Sequence, residues 1–399
     1  MSNTKTGPLS QWRNEDLKVR IQGGQALIGG AWSDAAIDID ERDGAIRAIG
    51  SETGNGRCID ARGLHVLPGI VDIHGDAFER QLMPRPGVGF PIDVALMESD
   101  RQAVGNGITT MYHGVTWSWE PGLRSADNAR AVLTAIEGLR KQLGADTRFH
   151  LRYETFNLDA ETEVADWLGS RRIGMLGFND HMPGEDAPAR TRKVAQMAER
   201  AGLSLEDFSA LVERLRARAD EVPQSIARLA GTARANDVPL LSHDDMSPEQ
   251  RRWFRALDCR LAEFPTTMET AEDATRAGDD IVLGAPNVVR GGSHIGWIGA
   301  ADMIKRGFCT VLASDYYYPA PLLAAFRLAA DDVVPLEKAW TYVSERPAKA
   351  AGLTDRGVLE EGRRADIILV DASDARRPKV AAAIANGRIV HLADAARLN

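Results

Sequence analysis

The sequence predicts an α/β protein, a (β/α)8 barrel of the TIM type with a small β-sandwich domain formed by both chain ends. Three observations predict it. Between residues 69 and 353, short apolar runs that end in polar residues alternate with amphipathic helical stretches such as ADNARAVLTAIEGLRKQL and PQSIARLAGTARAN, which is the pattern of repeated βαβ units. Eight such runs follow one another: VDIHGD, ITTMYHG, FHLRYET, GMLGFNDH, VPLLSHDD, RLAEFPTT, IVLGAPN and TVLASDYYY. Eight parallel strands suggest a closed barrel, with its active site where the strands end. The flanks, by contrast, hold short strands and turns without a helical period.

In chain order, residues 1–68 supply the first part of the small domain: VRIQGGQALIGG, then AAIDIDERDGAIRAIGS with Asp43-Gly44 as a hairpin turn, then CIDARGLHVLPG. Residues 69–353 form the barrel, and residues 354–399 return to the small domain through GVLEEGRRADIILVDA and KVAAAIANGRIVHL, which turns at Asn386-Gly387. A helical insertion, RTRKVAQMAERAGLSLEDFSALVERLRARADEVP, follows the fourth strand, and its charges read as a solvated face. Glu161–Arg172 resists assignment. The 399 residues suit one large domain and a smaller companion.

A formal net charge of −9 argues against a nucleic-acid or anionic-membrane binder, so an anionic small-molecule substrate would need local positive contacts. The cysteines, Cys58, Cys259 and Cys309, are three and widely spaced, which suits buried thiols in a reducing compartment. MSNTKTGPLSQWRNEDLKVR lacks the apolar stretch of a signal peptide, and no window has the length of a membrane span. A cytoplasmic location is expected, and association into a homo-oligomer is compatible with everything above.

The histidines and acids fall at strand ends. His74 and Asp76 close the first strand, Glu154 the third, His181 the fourth, His243 the fifth and Asp315 the eighth. His74 and Asp76, two residues apart, emerge on one face of an extended strand and can share a cation. Imidazole and carboxylate together suit a borderline divalent ion: zinc is expected, one ion or two, with manganese or iron as alternatives. Each residue also has a plainer role. His74 could be a hydrogen-bonded core histidine, Glu154 a salt-bridge partner of Arg152, and Asp315 a helix cap. Asp315 beside an ion could instead move a proton from water to a leaving group. Asp244 and Asp245 could orient His243 or bind the ion themselves.

Around this set, APNVVRGGSHIG carries Arg290, Ser293 and His294 on a glycine-rich strand exit suited to an anion, or forms a simple turn. In ERQLMPRPGVGFP, Arg85 sits between prolines and is the expected substrate contact, while Arg80 could face solvent.

At these residues the sequence resembles the PhnM-type enzymes of the bacterial carbon–phosphorus lyase pathway, within the amidohydrolase superfamily. The resembling runs are LPGIVDIHGDAFE, PRPGVGFP, HLRYE, DHMPGE, SHDD, EFPTT, GAPNVVRGGSH and SDYYYPAPLL, in order along almost the whole barrel. The resemblance implies a metal hydrolase that cleaves α-D-ribose 1-methylphosphonate 5-triphosphate to the 5-phosphate and pyrophosphate. It further implies His74, Asp76, Glu154, His181 and His243 as ligands, Asp315 as proton shuttle, and Arg85 and Arg290 as phosphate contacts. Asp76 stands where most amidohydrolases carry a second histidine, a mark of this family.

Some stretches depart from the family pattern. MYHGVTWSWEPGLR is more aromatic, Trp297 follows GGSHIG, and Tyr316 to Tyr318 follow Asp315. His113, Trp117 and Trp119 could stack on a ring or pack in the core. Two alternatives therefore accompany the diphosphatase reading: a deacylase or deaminase acting on a C–N bond in an aromatic-lined pocket, and a non-catalytic scaffold. The scaffold would be expected to have lost ligands, and here every position is filled.

Overall fold

The structure is a computed structural model that describes residues 18–50, 57–85, 87–184, 192–291 and 299–398. All eight expected barrel strands form: β1 (Ile70–Gly75), β2 (Ile108–Trp117), β3 (Asp146–Glu154), β4 (Met175–Asn179), β5 (Leu240–His243), β6 (Leu261–Glu263), β7 (Asp280–Gly284) and β8 (Val311–Ala313). They lie in sequence order in one sheet, and every ladder between neighbours is parallel.

The ring joins through the residues just beyond β8. Asp315 N–H donates to His74 O at 2.8 Å and Asp76 N–H donates to Asp315 O at 2.9 Å. One layer below, the Asp72 carboxylate accepts the Ser314 N–H at 2.9 Å and the Ser314 hydroxyl at 2.5 Å. Between β8 and β1 this is a short seam and not a full ladder.

Helices return each strand to the base, and polar caps start several of them. Ser125, Ser247 and Thr267 accept the N–H three residues on, which satisfies an otherwise orphaned donor at the start of Ala126–Leu139, Pro248–Ala256 and Met268–Ala277. The uncertain stretch from Glu161 becomes the helix Glu161–Gly169. The insertion after β4 contains helices Arg192–Ala201 and Leu205–Arg216.

Both chain ends build the small β domain. His65–Pro68 pairs antiparallel with Ile367–Asp371, so one six-stranded sheet takes strands from both ends. A second sheet of four strands holds Lys18–Gln22, Ile37–Asp40, Ala45–Ile49 and Arg57–Asp60. One apolar cluster joins them, with Ile21, Ile39 and Ile59 beside Ile367, Leu369 and Ile384.

The expected hairpin turns at Asp43-Gly44 and Asn386-Gly387 meet there. Gly44 and Gly387 have φ of 70° and 74°, and a Cβ on Gly387 would stand 2.8 Å from the Gly44 Cα. Glycine is therefore required at both turns by conformation and by contact. Among the described residues no helix is long and apolar enough to cross a membrane.

Candidate metal centre

Strand alternation sets the site's floor. Leu241, Leu261 and Val282 lie in one buried apolar cluster with Tyr112, Met175 and Val311. Each of the first three lies two residues before the end of its strand, so His243, Glu263 and Gly284 emerge above them on the same face. At that level the strand ends collect imidazoles and carboxylates. His74, Asp76 and Asp315 offer ligand atoms within 4.8 Å of one another, as do His181, His243 and Asp244.

Glu154 completes the second group through His181, whose N–H and Nδ1 approach its two oxygens at 3.1 and 2.5 Å. The salt bridge to Arg152 considered for Glu154 is not its arrangement. Arg152 instead reaches Asp76 Oδ2 at 3.1 Å and His243 Nε2 at 3.4 Å.

The sequence reading named Arg152 only as an alternative partner of Glu154, and it did not single out Glu263, which is wholly buried at the end of β6 and whose oxygens hold His74 Nδ1 at 2.6 Å and His243 Nδ1 at 2.8 Å. A signal for Glu263 existed: it ends an apolar run at the level where every other candidate ends its own.

Asp244 and Asp245 separate clearly. Asp244 has φ 57° and lies with His243 and His181 at the mouth. Asp245 is buried away from it and accepts from Ser242 Oγ at 2.6 Å and from the fully buried Arg251 at 3.0 Å.

The electrostatics suit a cation. Burial acts to raise the Glu263 pKa, but the two imidazoles outweigh it and hold the carboxyl well below its ordinary range. Burial likewise disfavours a charged His74, and the Glu263 carboxylate reverses that, leaving a more basic imidazole. His243 is shifted down by burial, toward the neutral form a ligand needs. Burial, then the nearby Asp76 charge, pushes Asp315 up to about 7. Among the described residues the Asp315 carboxylate and His74 Nε2 have no hydrogen-bond partner, and so lone pairs are free at this mouth. The donor set therefore fits a divalent ion.

Above it lies a cavity of about 240 Å3 lined by the polar residues His74, Asp76, Arg152, His243 and Asp315 and by the apolar residues Phe264, Pro265, Met268, Leu283 and Met303, the Phe264 ring standing edge-on to His74 and His243 at 5.2 and 5.3 Å. Arg290 and Arg80 meet on Tyr316, next to Asp315, and do not line the cavity: Arg290 Nη1 donates to the Tyr316 hydroxyl at 3.4 Å, and the Arg80 guanidinium sits 5.5 Å from its ring centre. Arg85 is exposed, in a small bridge to Val88, and does not line the cavity. Ser293 and His294, with Trp297, lie outside the described residues.

Trp117, Trp119 and His113 do not line the cavity and pack on other rings. Trp117 contacts Trp167 at 4.9 Å, Trp119 contacts Phe208 at 5.8 Å, and His113 contacts Phe78 at 4.9 Å. Of the three thiols Cys259 and Cys309 are buried, whereas Cys58 is partly exposed, which corrects the expectation of three buried thiols.

A parallel eight-stranded barrel with histidines and carboxylates gathered at the C-terminal strand ends defines a hydrolase of the metal-dependent amidohydrolase class. The amidohydrolase family model matches residues 101–391, and the chain belongs to that family. It is 33% identical over 346 residues to the alpha-D-ribose 1-methylphosphonate 5-triphosphate diphosphatase of Escherichia coli (strain K12), covering 84% of this chain and 91% of that protein.

An adenine deaminase of Methylobacterium nodulans is 25% identical over 84% of this chain, which spans 51% of the deaminase. Solved structures share the fold at low identity. A prolidase complexed with N-methylphosphonate-L-proline matches at TM-score 0.63 and 14% identity, over 94% of this chain and all of the other. A molinate hydrolase matches at 0.62 and 16%, over 94% and 95%.

Proposed function

We propose that the protein is a divalent-metal hydrolase that cleaves α-D-ribose 1-methylphosphonate 5-triphosphate to the 5-phosphate and pyrophosphate, with zinc as the expected ion. One observation carries the reading: His74, Asp76, Glu154, His181, His243 and Asp315 meet at one barrel mouth, in a chain one-third identical over most of its length to a diphosphatase of that substrate. In this reading the first five residues are the ligand set. When bound, the ion would activate water and draw charge from the phosphoryl group.

The chain's own residues supply the rest. Asp315 is the proton shuttle, because its carboxylate has no hydrogen-bond partner among the described residues and lines the cavity. Glu263 holds both imidazoles through Nδ1, which leaves Nε2 as the free nitrogen of His74, while His243 Nε2 lies 3.4 Å from Arg152. Arg152 in the cavity, with Arg80 and Arg290 on Tyr316 next to Asp315, gives the local positive charge that an acidic protein needs for a polyphosphate. Arg85, Ser293 and His294 remain candidate contacts for the outer phosphates.

The apolar lining from Phe264 to Met303 favours a second reading, hydrolysis of a C–N bond in a heterocycle, and the adenine deaminase likeness points the same way. One assay separates them. Pyrophosphate release from the ribosyl triphosphate and ammonia release from adenine are measured with the purified protein and with His74→Ala and Asp315→Asn. Pyrophosphate release lost in both variants supports the first reading. Ammonia release without pyrophosphate replaces it with the second.

A further inference from the structure

Gly284 ends β7 on the inward face, directly before the helix Ala285–Arg290. Its backbone, at φ −72° and ψ 118°, is open to any residue, so conformation does not require glycine there. What glycine provides is space. A Cβ would stand 3.2 Å from Asp315 Oδ2 and 3.6 Å from Asn287 Nδ2. The room over Gly284 is thus bounded by a carboxylate on one side and an amide on the other, and all three residues line the cavity.

The amide is not tied down. Of the neutral polar side chains that line the cavity, Thr266 donates to Asp245 O at 3.3 Å and Thr267 caps the helix Met268–Ala277. The Asn287 amide has no hydrogen-bond partner among the described residues, and its Oδ1 is buried without one. An unpaired buried acceptor costs stability, and an amide left free beside an acid has its N–H2 to offer a ligand. Asn287 and Arg290 lie three residues apart, on one face of the helix. Arg290 in turn donates to Tyr316, next to Asp315. An amide and then a guanidinium therefore follow each other along the Asp315–Tyr316 stretch.

We propose that Asn287 binds the departing pyrophosphate half of the substrate, its Nδ2 donating to a phosphoryl oxygen held in the space over Gly284. The half with two phosphoryl groups suits the side on which Arg290 lies. This rests on the diphosphatase reading and adds a leaving-group site to it. As the oxygen of water bonds to phosphorus, the bond to the bridging oxygen breaks and its electron pair passes to that oxygen. Asp315 delivers there the proton taken from the water, and the Asn287 N–H group stabilises the charge on the neighbouring oxygens.

Product inhibition tests it. Initial rates on the ribosyl triphosphate are followed by phosphorus NMR for the wild type, Asn287→Ala, Asn287→Asp and Gly284→Ala, each zinc-loaded and checked for folding and ion content. Inhibition is measured with pyrophosphate, added as its magnesium complex so that it does not strip the ion, and separately with the ribosyl 5-phosphate product. Asn287→Ala should lower kcat about 100-fold and raise the pyrophosphate inhibition constant about tenfold. Asn287→Asp should raise that constant further, by setting a negative charge against the anion, and Gly284→Ala should raise it by filling the space. The constant for the ribosyl 5-phosphate should stay within about twofold of wild type in the Asn287 variants.

Unchanged pyrophosphate constants in the folded Asn287 variants would overturn the proposal and leave the diphosphatase reading standing. So would constants that rise alike for both products, the mark of a cavity disturbed as a whole. An unchanged constant in Gly284→Ala alone would overturn the placement over Gly284. A wild type that turns over no triphosphate would overturn the diphosphatase reading itself, and the leaving-group site with it.

Discussion

His74 on β1 and His243 on β5 stack at 5.8 Å between ring centres, 16° from parallel, because both turn Nδ1 to the one carboxylate of Glu263. The pair is thereby fixed in tautomer and in direction. Glu263→Gln keeps the shape but can accept from only one of the two rings, its amide N–H group opposing the other. We expect a folded variant whose zinc affinity and turnover fall by about 10- to 100-fold. Competition titration with a chromophoric chelator measures the first. Unchanged affinity would mean that Glu263 only fills space.

A second expectation concerns the opposite, structural face of the barrel. Arg356, in the chain segment returning to the small domain, donates to Asp146 Oδ2 at 2.7 Å and to Thr110 at 2.8 Å, at the start of β3 and near that of β2. Burial raises the Asp146 pKa, but Arg148 and Arg356 outweigh it and bring it to about 2. The folded pKa is thus below the unfolded one near 3.8, so the stabilisation is fully present above about pH 4 and is lost as pH falls toward 2. A shift of this size corresponds to about 2 kcal/mol. Asp146→Asn should lower the unfolding free energy by about that amount at pH 7, with the gap closing only below pH 4. Denaturant titrations across this range would show it, and a gap that closes near pH 6 would contradict the assignment.

The eight strands were legible because each βα unit repeats one local signal, an apolar run ended by polar residues, and eight repeats close only one way. The strand-end rule then placed His74, Asp76, Glu154, His181, His243 and Asp315 at one mouth without any knowledge of partners. Partners were what the sequence hid. Glu263 meets a histidine 189 positions away, and nothing local marks that distance. Arg152 and Glu154 share a strand face, which suggested a pair, yet an inward side chain meets residues across the barrel before its own neighbours. The prolines flanking Arg85 said that its loop was stiff and not which way it pointed, so the structure finds Arg80 and Arg290 on Tyr316 instead.

The Asp315 backbone is left-handed, φ 54°, and its own N–H and carbonyl make the bonds that join β8 to β1. Asparagine tolerates this conformation better than alanine does. Asp315→Asn should therefore fold with an unchanged thermal midpoint while kcat falls by about 10^2- to 10^4-fold, the range for loss of a general acid–base. A midpoint several degrees lower would place its role in barrel closure.

If Arg80 and Arg290 recognise a polyphosphate, their loss should weaken substrate binding more than turnover. Arg80 and Arg290 lie on Tyr316, directly after Asp315, and both are exposed outside the cavity. The chemistry at Asp315 would not need them, but an anionic chain extending from it would. Arg80→Ala and Arg290→Ala should each raise KM by about tenfold, equivalent to about 1.4 kcal/mol, with kcat within about twofold of wild type. The effect should shrink as salt is raised, because these contacts are open to solvent. Steady-state kinetics at two ionic strengths would decide it. Equal KM values for wild type and both variants would remove Arg80 and Arg290 from the substrate's path and strengthen the case for a neutral heterocycle against the apolar lining residues.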